Sequence, residues 1–358
     1  MCDTKLFVDE LLKNGFEKIA GVPCSFLSSL INEAEKRGLY EAFVNEGDAL
    51  AYAAGASLSG RKCAVIMQNS GLSNALSPLT SLNELFRLHT LIIIGNRGVD
   101  DEPQHRIMAT AVKPILDTLK LPYFNAEDNG SLKSAISQLD KSSSAILVND
   151  KNTFSPISFN LKPDNENQPD LPLRYDILKA ISDHAEDSII ITTTGFTSRE
   201  MFCVKDRAEN FYMVGSMGCL SSLALGISEN MPHKKVIAID GDSACLMRLG
   251  ALYTLTEKRP DNLCYIVLDN QANESTGGQR NSLGGSRLVN IMNVLYPTDS
   301  AYCANDYKSV IQKFIKTRQY TQIYSKIRVG SLSRLPRPNR ALIFGQAERF
   351  KREVADVN

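Results

Sequence analysis

Two short apolar runs, 236–239 and 263–268, each end in polar residues: Asp240-Gly241-Asp242-Ser243 and Asp269-Asn270. A helix-like stretch, 244–256, separates them. Continuous apolar runs of this length predict strands buried on both faces, and a helix between two such strands predicts parallel neighbours. The rhythm recurs upstream. Leu6, Phe7, Leu11 and Leu12 lie at helical spacing and predict a first helix that Gly15 ends. Strands are predicted at 18–22, 42–44, 64–67, 91–94 and 145–148. Ser25 can cap a helix whose apolar face carries Leu27, Leu30 and Ile31; alternatively, that helix start receives an anion. Residues 49–56 form a helix of small side chains, against which another backbone can pack closely.

The pattern then lapses. Residues 151–172 hold four prolines and four asparagines with no period, which predicts a linker. Beyond it come strands at 188–191, 212–214, 236–239, 263–268 and 326–329. Two successive α/β series predict two doubly wound parallel-sheet domains, 1–150 and 173–358. No Gly-x-Gly-x-x-Gly follows any strand, which counts against a nicotinamide dehydrogenase.

Charge and composition remove several function classes. The 358 residues carry 40 Lys and Arg against 40 Asp and Glu, so no overall field favours nucleic acid or an anionic membrane. The basic stretch 313–340, with Tyr320 and Tyr324 interleaved, is read as a solvated face. Eight scattered cysteines include no Cys-x-x-Cys pair, which argues against zinc or a disulfide framework. No signal-like segment opens the sequence, and no apolar run approaches the about 20 residues of a membrane span. A cytoplasmic protein is expected.

Asp242 and Asn270 should both lie just past the carboxyl ends of parallel strands, the edge where α/β sheets bind ligands. A carboxylate with an amide oxygen suits Mg²⁺ holding phosphate; the alternative is an ordinary turn. Ser275-Thr276-Gly277-Gly278 follows, and the turn Gly215-Ser216-Met217-Gly218 offers backbone amides to an anion. Met213 and Met217 are either core filler or a surface for a cofactor ring. Glu46, at a strand–helix junction, complements the helix dipole or is functional. His105, in a loop past a strand end, is a candidate for binding or proton transfer.

Gly241-Asp242-Ser243 with Asn270 resembles the metal motif of thiamine diphosphate enzymes. NEGDALAYAAG (45–55), GVPCSFL (21–27), QNSGLSNALSPLTSL (68–82), DEPQH (101–105), TTTGFTSREMF (192–202), FYMVGSMG (211–218) and ESTGGQ (274–279) are similar to the 2-oxo acid decarboxylases of this group. More closely, these stretches resemble the branch that acts on phosphonopyruvate, with the sulfopyruvate branch as the alternative. The resemblance implies a pyrimidine-binding and a diphosphate-binding domain without a middle domain, with thiamine diphosphate and Mg²⁺ as cofactors. It implies a small anionic 2-oxo acid substrate and a homodimer or higher homo-oligomer with sites at subunit interfaces. Glu46 stands at the catalytic glutamate, and His105 is the proton donor or orienter. Thr194, Gly195, Gly215, Ser216, Met217, Gly241, Asp242, Ser243 and Asn270 would hold the cofactor. Asp242, Asn270 and the Ala272 carbonyl would hold the metal. Ser25, Asn69, His105, Ser275 and Thr276, with Arg106 or Arg280, would face the substrate. Ser243 replaces a glycine, and Cys219 and Asn273 stand where histidines are common. These departures raise the alternative of a non-decarboxylating homologue acting as a partner or regulatory subunit.

Overall fold

The computed structural model describes residues 1–139, 141–158, 170–185, 187–281, 287–300, 304–336 and 338–355. They divide into two units, 1–161 with 275–282, and 162–274 with 283–358. Each is built on one six-stranded parallel sheet, with no third sheet domain among the described residues.

In the first unit the strands are β1 (Phe16–Gly21), β2 (Tyr40–Ala42), β3 (Lys62–Gln68), β4 (Thr90–Gly95), β5 (Tyr123–Asn125) and β6 (Ser144–Asn149). Their order is β2-β1-β3-β4-β6-β5, with every pairing parallel. Every residue of β4 and β6 is buried, because helices cover both faces of the sheet. Successive side chains point to opposite faces, so Ile66 and Ile93 join the core with Phe7, Leu11 and Leu30. Val65, Met67, Ile92 and Ile94 face Ala49, Leu50 and Leu72 on the other side.

Two expectations here need correction. The helix Thr4–Lys13 buries Phe7, Val8 and Leu11, while Leu6 and Leu12 are 58% and 40% exposed. The apolar stripe is therefore rotated by one residue from the spacing first read. The strand expected at 42–44 is Tyr40–Ala42: Phe43 N still donates to Gly21 O (2.9 Å), and the chain then turns into the Asn45 cap of the helix Glu46–Leu58. Strand β5 is unforeseen; at three residues it leaves no apolar run, and it lies at the sheet edge beyond β6. Of the predicted linker, Thr153 and Phe154 are tied to the first unit, by Cys2 N donating to Thr153 O (2.7 Å) and an edge-to-face contact of Phe154 with Phe7 (5.0 Å). Residues 159–169 lie outside the described set.

The second sheet contains β7 (Ser188–Thr192), β8 (Asn210–Tyr212), β9 (Lys235–Gly241), β10 (Leu263–Asp269), β11 (Asp299–Ser300) and β12 (Thr321–Lys326). Their order is β11-β12-β10-β9-β7-β8, again parallel throughout. The late strand expected at 326–329 is in fact Thr321–Lys326. Its polar Gln322 is buried because its amide donates to Thr298 Oγ1 (2.8 Å) and Met292 O (3.2 Å), which hid the strand from an apolar count. The single helix expected over 244–256 is two, Asp242–Met247 and Leu249–Lys258, broken at Arg248. Gly218 packs into that break, where a Cβ would stand 3.0 Å from Arg248 Cγ and 3.2 Å from Ala244 O. Tyr320 and Tyr324 are core residues, 6% and 2% exposed, so the basic segment presents no aromatic interleaving. No helix among the described residues is long and apolar enough to cross a membrane.

The helix Arg340–Ala355 closes the free edge of β8. Gln346 Oε1 accepts from Tyr212 N (3.1 Å), and its amide donates to Tyr212 O (3.0 Å). Arg349 grips Asp206 with two hydrogen bonds of 2.8 Å. Burial pushes the Asp206 carboxyl up, but hydrogen bonds from Arg349 and Tyr212 outweigh it and hold it below its ordinary value. A depressed carboxyl stabilises the fold above the unfolded-chain pKa of about 3.9, and this contribution is lost as pH falls below that. We predict that Arg349→Met costs about 0.2–1 kcal/mol at pH 7, read as a lower melting temperature. The deficit should shrink as pH falls through the lowered native pKa of Asp206. An equal deficit above and below it would assign the loss to packing alone.

Candidate active site

In the first unit the chain passes from β1 to β2 on one side and then to β3 on the other, so the strand order reverses between β1 and β3. In the second unit it reverses between β7 and β9. Crevices beyond the carboxyl ends of strands at such reversals are where ligands bind in this architecture. The candidate residues of each unit follow those strand ends.

Glu46 opens the helix Glu46–Leu58, which Asn45 caps by accepting from Gly47 N (2.8 Å). Complementing a helix dipole requires no burial, yet Glu46 is only 5% exposed. Its Oε2 accepts from Asn74 Nδ2 (2.8 Å), and its carboxylate rests on the bare backbone of Gly71. A Cβ on Gly71 would come within 2.4 Å of Glu46 Oε1 and 2.6 Å of its Cγ. Neither Asn74 nor Gly71 was singled out within the stretch 68–82; Gly71 ends the turn Asn69–Gly71 after β3, and Asn74 lies in the helix Leu72–Pro78 that follows.

Ser25 does not cap a helix. The turn Ser25–Leu27 has no side-chain cap, and Ser25 Oγ instead accepts from Arg97 Nη1 (2.7 Å). Arg97, two residues beyond β4, was not named from the sequence, where Arg106 and Arg280 were the candidate cations. Its guanidinium lies 4.8 Å over the Phe26 ring and pairs with Asp101 and Glu102. Gly95 permits this approach, since a Cβ there would be 2.7 Å from Cys24 Sγ. Asn69 is fully buried; its amide donates to Arg97 O (3.0 Å) and Asn96 Oδ1 (3.3 Å), tying the β3 and β4 loops together. His105 ends the short turn Pro103–His105 and is 7% exposed, so it is not a solvated loop residue. Arg106 is exposed, and the Arg280 charge acts to lower the Glu35 carboxyl that burial raises. Ser275 is exposed and Thr276 half-buried, both in the turn Glu274–Thr276.

In the second unit several loops hold backbone conformations that few side chains adopt. Gly195 (φ 88°, ψ −140°) precedes the helix Phe196–Val204, directly after Thr194, and Ser216 (φ 52°) and Gly218 (φ 84°) shape the turn after β8. Gly215 and Met217 flank Ser216 in that turn. Strain of this kind gathers at ligand sites. Gly241 (φ −105°) and Ser243 are not left-handed, so serine in the metal-motif turn carries no backbone penalty. The Ser243 Oγ is buried without a hydrogen-bond partner. Cys219 precedes the helix Leu220–Asn230 and caps it with no side-chain bond.

Asp242 is 4% exposed and follows β9 directly. Gln271, itself left-handed (φ 60°), turns its N–H toward Asp242 Oδ2 (2.9 Å) and Asp269 Oδ1 (2.9 Å). Burial pushes the Asp242 carboxyl well up, and the neighbouring Asp269 charge pushes it further. Asn270, 5% exposed, accepts at Oδ1 from Ala272 N (3.1 Å) and donates from Nδ2 to Glu274 Oε2 (2.7 Å). Among the described residues no three His, Cys, Asp or Glu side chains gather as a metal group. A cation beside Asp242 would therefore have one carboxylate, the Asn270 amide oxygen, the Ala272 carbonyl and waters, a hard oxygen set. The buried Asp242 carboxylate, with the Asp269 charge beside it, fits such a cation, and the unpartnered Ser243 hydroxyl fits an anionic oxygen next to it.

Comparison with known proteins agrees across both units. Residues 4–115 match the thiamine pyrophosphate enzyme N-terminal TPP binding domain, and residues 195–328 match the C-terminal TPP binding domain. The phosphonopyruvate decarboxylase of Streptomyces viridochromogenes is 32% identical over 364 residues, covering 90% of this chain and 88% of its own. That of Streptomyces hygroscopicus is 31% identical, covering 90% and 87%. The sulfopyruvate decarboxylase of Methanosarcina acetivorans is 28% identical over 305 residues, covering 76% and 77%.

The Gly71 seat is directly testable. Its backbone is ordinary (φ −69°, ψ −21°), so alanine is unstrained there except by Glu46. Gly71→Ala should displace the Glu46 carboxylate from Asn74 and cost about 1–3 kcal/mol, seen as a lowered melting temperature. A variant that melts with the wild type and keeps that hydrogen bond in its crystal structure would refute the packing.

Proposed function

As the chain belongs to the thiamine diphosphate-dependent decarboxylases, we propose that it converts 3-phosphonopyruvate to phosphonoacetaldehyde and carbon dioxide, with Mg²⁺ as the metal. The observation carrying this substrate is the near end-to-end similarity to two phosphonopyruvate decarboxylases, at 32% and 31% over 90% of this chain. The sulfopyruvate enzyme reaches 28% over 76% and supplies the second reading.

When bound, thiamine diphosphate supplies an electron sink for the carbanion that loss of carbon dioxide would leave. The protein's own groups do the rest. Asp242, Asn270 Oδ1 and the Ala272 carbonyl hold Mg²⁺. The turns at Thr194-Gly195, Gly215-Ser216-Met217 and Gly241-Ser243 present N–H and hydroxyl donors to diphosphate oxygens. Glu46, held by Asn74 away from solvent, would bind the pyrimidine end of the cofactor and hold or release a proton at its own carboxylate. His105 donates or orients the proton that the product carbon takes up. Arg97 with Ser25 supplies the cation and hydroxyl for the substrate's phosphonate, aided by Asn69, Ser275 and Thr276. Following the family resemblance, the proposal includes a homodimer or higher homo-oligomer with sites at subunit interfaces, located in the cytoplasm.

Aldehyde release from phosphonopyruvate, sulfopyruvate and pyruvate, with thiamine diphosphate and Mg²⁺, tests the reading. Turnover of phosphonopyruvate well above the other two is expected; turnover of sulfopyruvate alone would replace the substrate. Glu46→Gln should lower kcat by about 10²–10⁴-fold while thermal stabilisation by thiamine diphosphate persists. Asp242→Ala should abolish that stabilisation. Arg97→Met should raise KM for phosphonopyruvate about tenfold or more, a loss of at least about 1.4 kcal/mol, and leave any pyruvate turnover unchanged. Equal effects on both substrates would remove Arg97 from anion recognition.

A further inference from the structure

We propose that Glu274 is a positioning residue: it fixes the Asn270 amide with Oδ1 turned to the cation seat beside Asp242, and Arg174 in turn fixes Glu274. The inference rests on Asp242 and Asn270 being Mg²⁺ ligands. It concerns why the amide presents oxygen rather than nitrogen, which no metal motif specifies.

An asparagine amide has a donor end and an acceptor end of nearly equal shape, and only its neighbours decide which way it faces. Here both neighbours specify one orientation. The Glu274 carboxylate can only accept and takes a hydrogen bond from Nδ2 (2.7 Å). The Ala272 N–H can only donate and is met by Oδ1 (3.1 Å). Oδ1 keeps a second lone pair for a cation. Turning the amide over would set Oδ1 against a carboxylate and an NH₂ against an N–H.

Glu274 is itself held on both oxygens. Its Oε1 accepts from Gly330 N (2.7 Å), and its Oε2 pairs with the Arg174 guanidinium. Arg174 is 4% exposed, also pairs with the fully buried Glu200 (3.3 Å), and lies 5.8 Å from the Phe196 ring centre. Glu200 accepts from Leu332 N (3.0 Å). Two carboxylates thus meet one guanidinium. Burial pushes the Glu200 carboxyl up, against the pull of Arg174. A cluster serving only to fasten residues 330–332 would need Glu274 on Gly330, Glu200 on Leu332 and Arg174 between them, but no contact with Asn270. Glu274 is the member that joins this buried pair to the proposed metal ligand.

Glu274→Gln keeps the shape and removes the obligation, because a carboxamide can donate as well as accept. The measurement is the Mg²⁺ concentration giving half of the thermal stabilisation by thiamine diphosphate. It should rise by about 10–100-fold, the usual effect of removing a group that orients a ligand, with stabilisation regained at high Mg²⁺. The decisive comparison repeats the change in Asn270→Asp, where either oxygen can bind the metal and orientation no longer matters. There Glu274→Gln should leave half-saturation unchanged or lower it, since it also removes carboxylate–carboxylate repulsion. A merely structural role predicts the same penalty in both backgrounds, and that result would overturn the proposal. Glu274→Asp keeps the charge facing Arg174 but withdraws it by one methylene, so it tests the same point if the glutamine variant does not fold. It should also raise half-saturation, and no change would count against the proposal. A wild type whose stabilisation by thiamine diphosphate needs no Mg²⁺ would remove the metal assignment itself, and this inference with it. Mg²⁺-dependent wild type with unaltered variants would remove the inference alone.

Discussion

Parallel pairing is the constraint on which the rest depends. It sends every strand of a sheet out at the same edge, so residues distant in sequence arrive side by side without any contact having to specify the meeting. Ser25, Glu46, Asn69, Arg97 and His105 all follow strand ends of the first sheet. Thr194, Ser216, Asp242 and Asn270 do so in the second. Such an edge is hard to stabilise with apolar packing, because backbone leaves the sheet there. Each loop is fastened instead by directed bonds: Asn69 to Arg97, Gln271 to both Asp242 and Asp269, Asn74 to Glu46.

That division explains what could be read from the sequence. Strands buried on both faces announce themselves as apolar runs, and β3, β4, β6, β9 and β10 were legible for that reason. Strand β12 was not, since Gln322 occupies a core position by bonding to residues 24 and 30 places away. The first helix misled in detail because Leu6 and Leu12 are apolar but face water, and only Val8 completes the buried stripe. A periodicity count sees hydrophobicity; it does not see which neighbour is present to cover it.

The candidate site divides the same way. Glu46, Asp242 and Asn270 lie in local signatures, each defined by the strand before it and the helix or turn after it. Their supports do not. Asn74 acts on Glu46 from 28 residues away, Arg97 reaches Ser25 across 72, and Arg174 reaches Glu274 across 100. Arg97 is one of 40 basic residues and carries no mark until Phe26 and Ser25 are beside it. The candidate residues were therefore easier to name than the groups that hold them.

The side chain of Gln346 carries one more consequence. By taking both backbone groups of Tyr212 it behaves as a single rung of an additional strand, supplied by a helix. An unprotected border of this kind can recruit a strand from another molecule. With the rung already filled at Tyr212, this border offers a strand of another molecule no free backbone pair there.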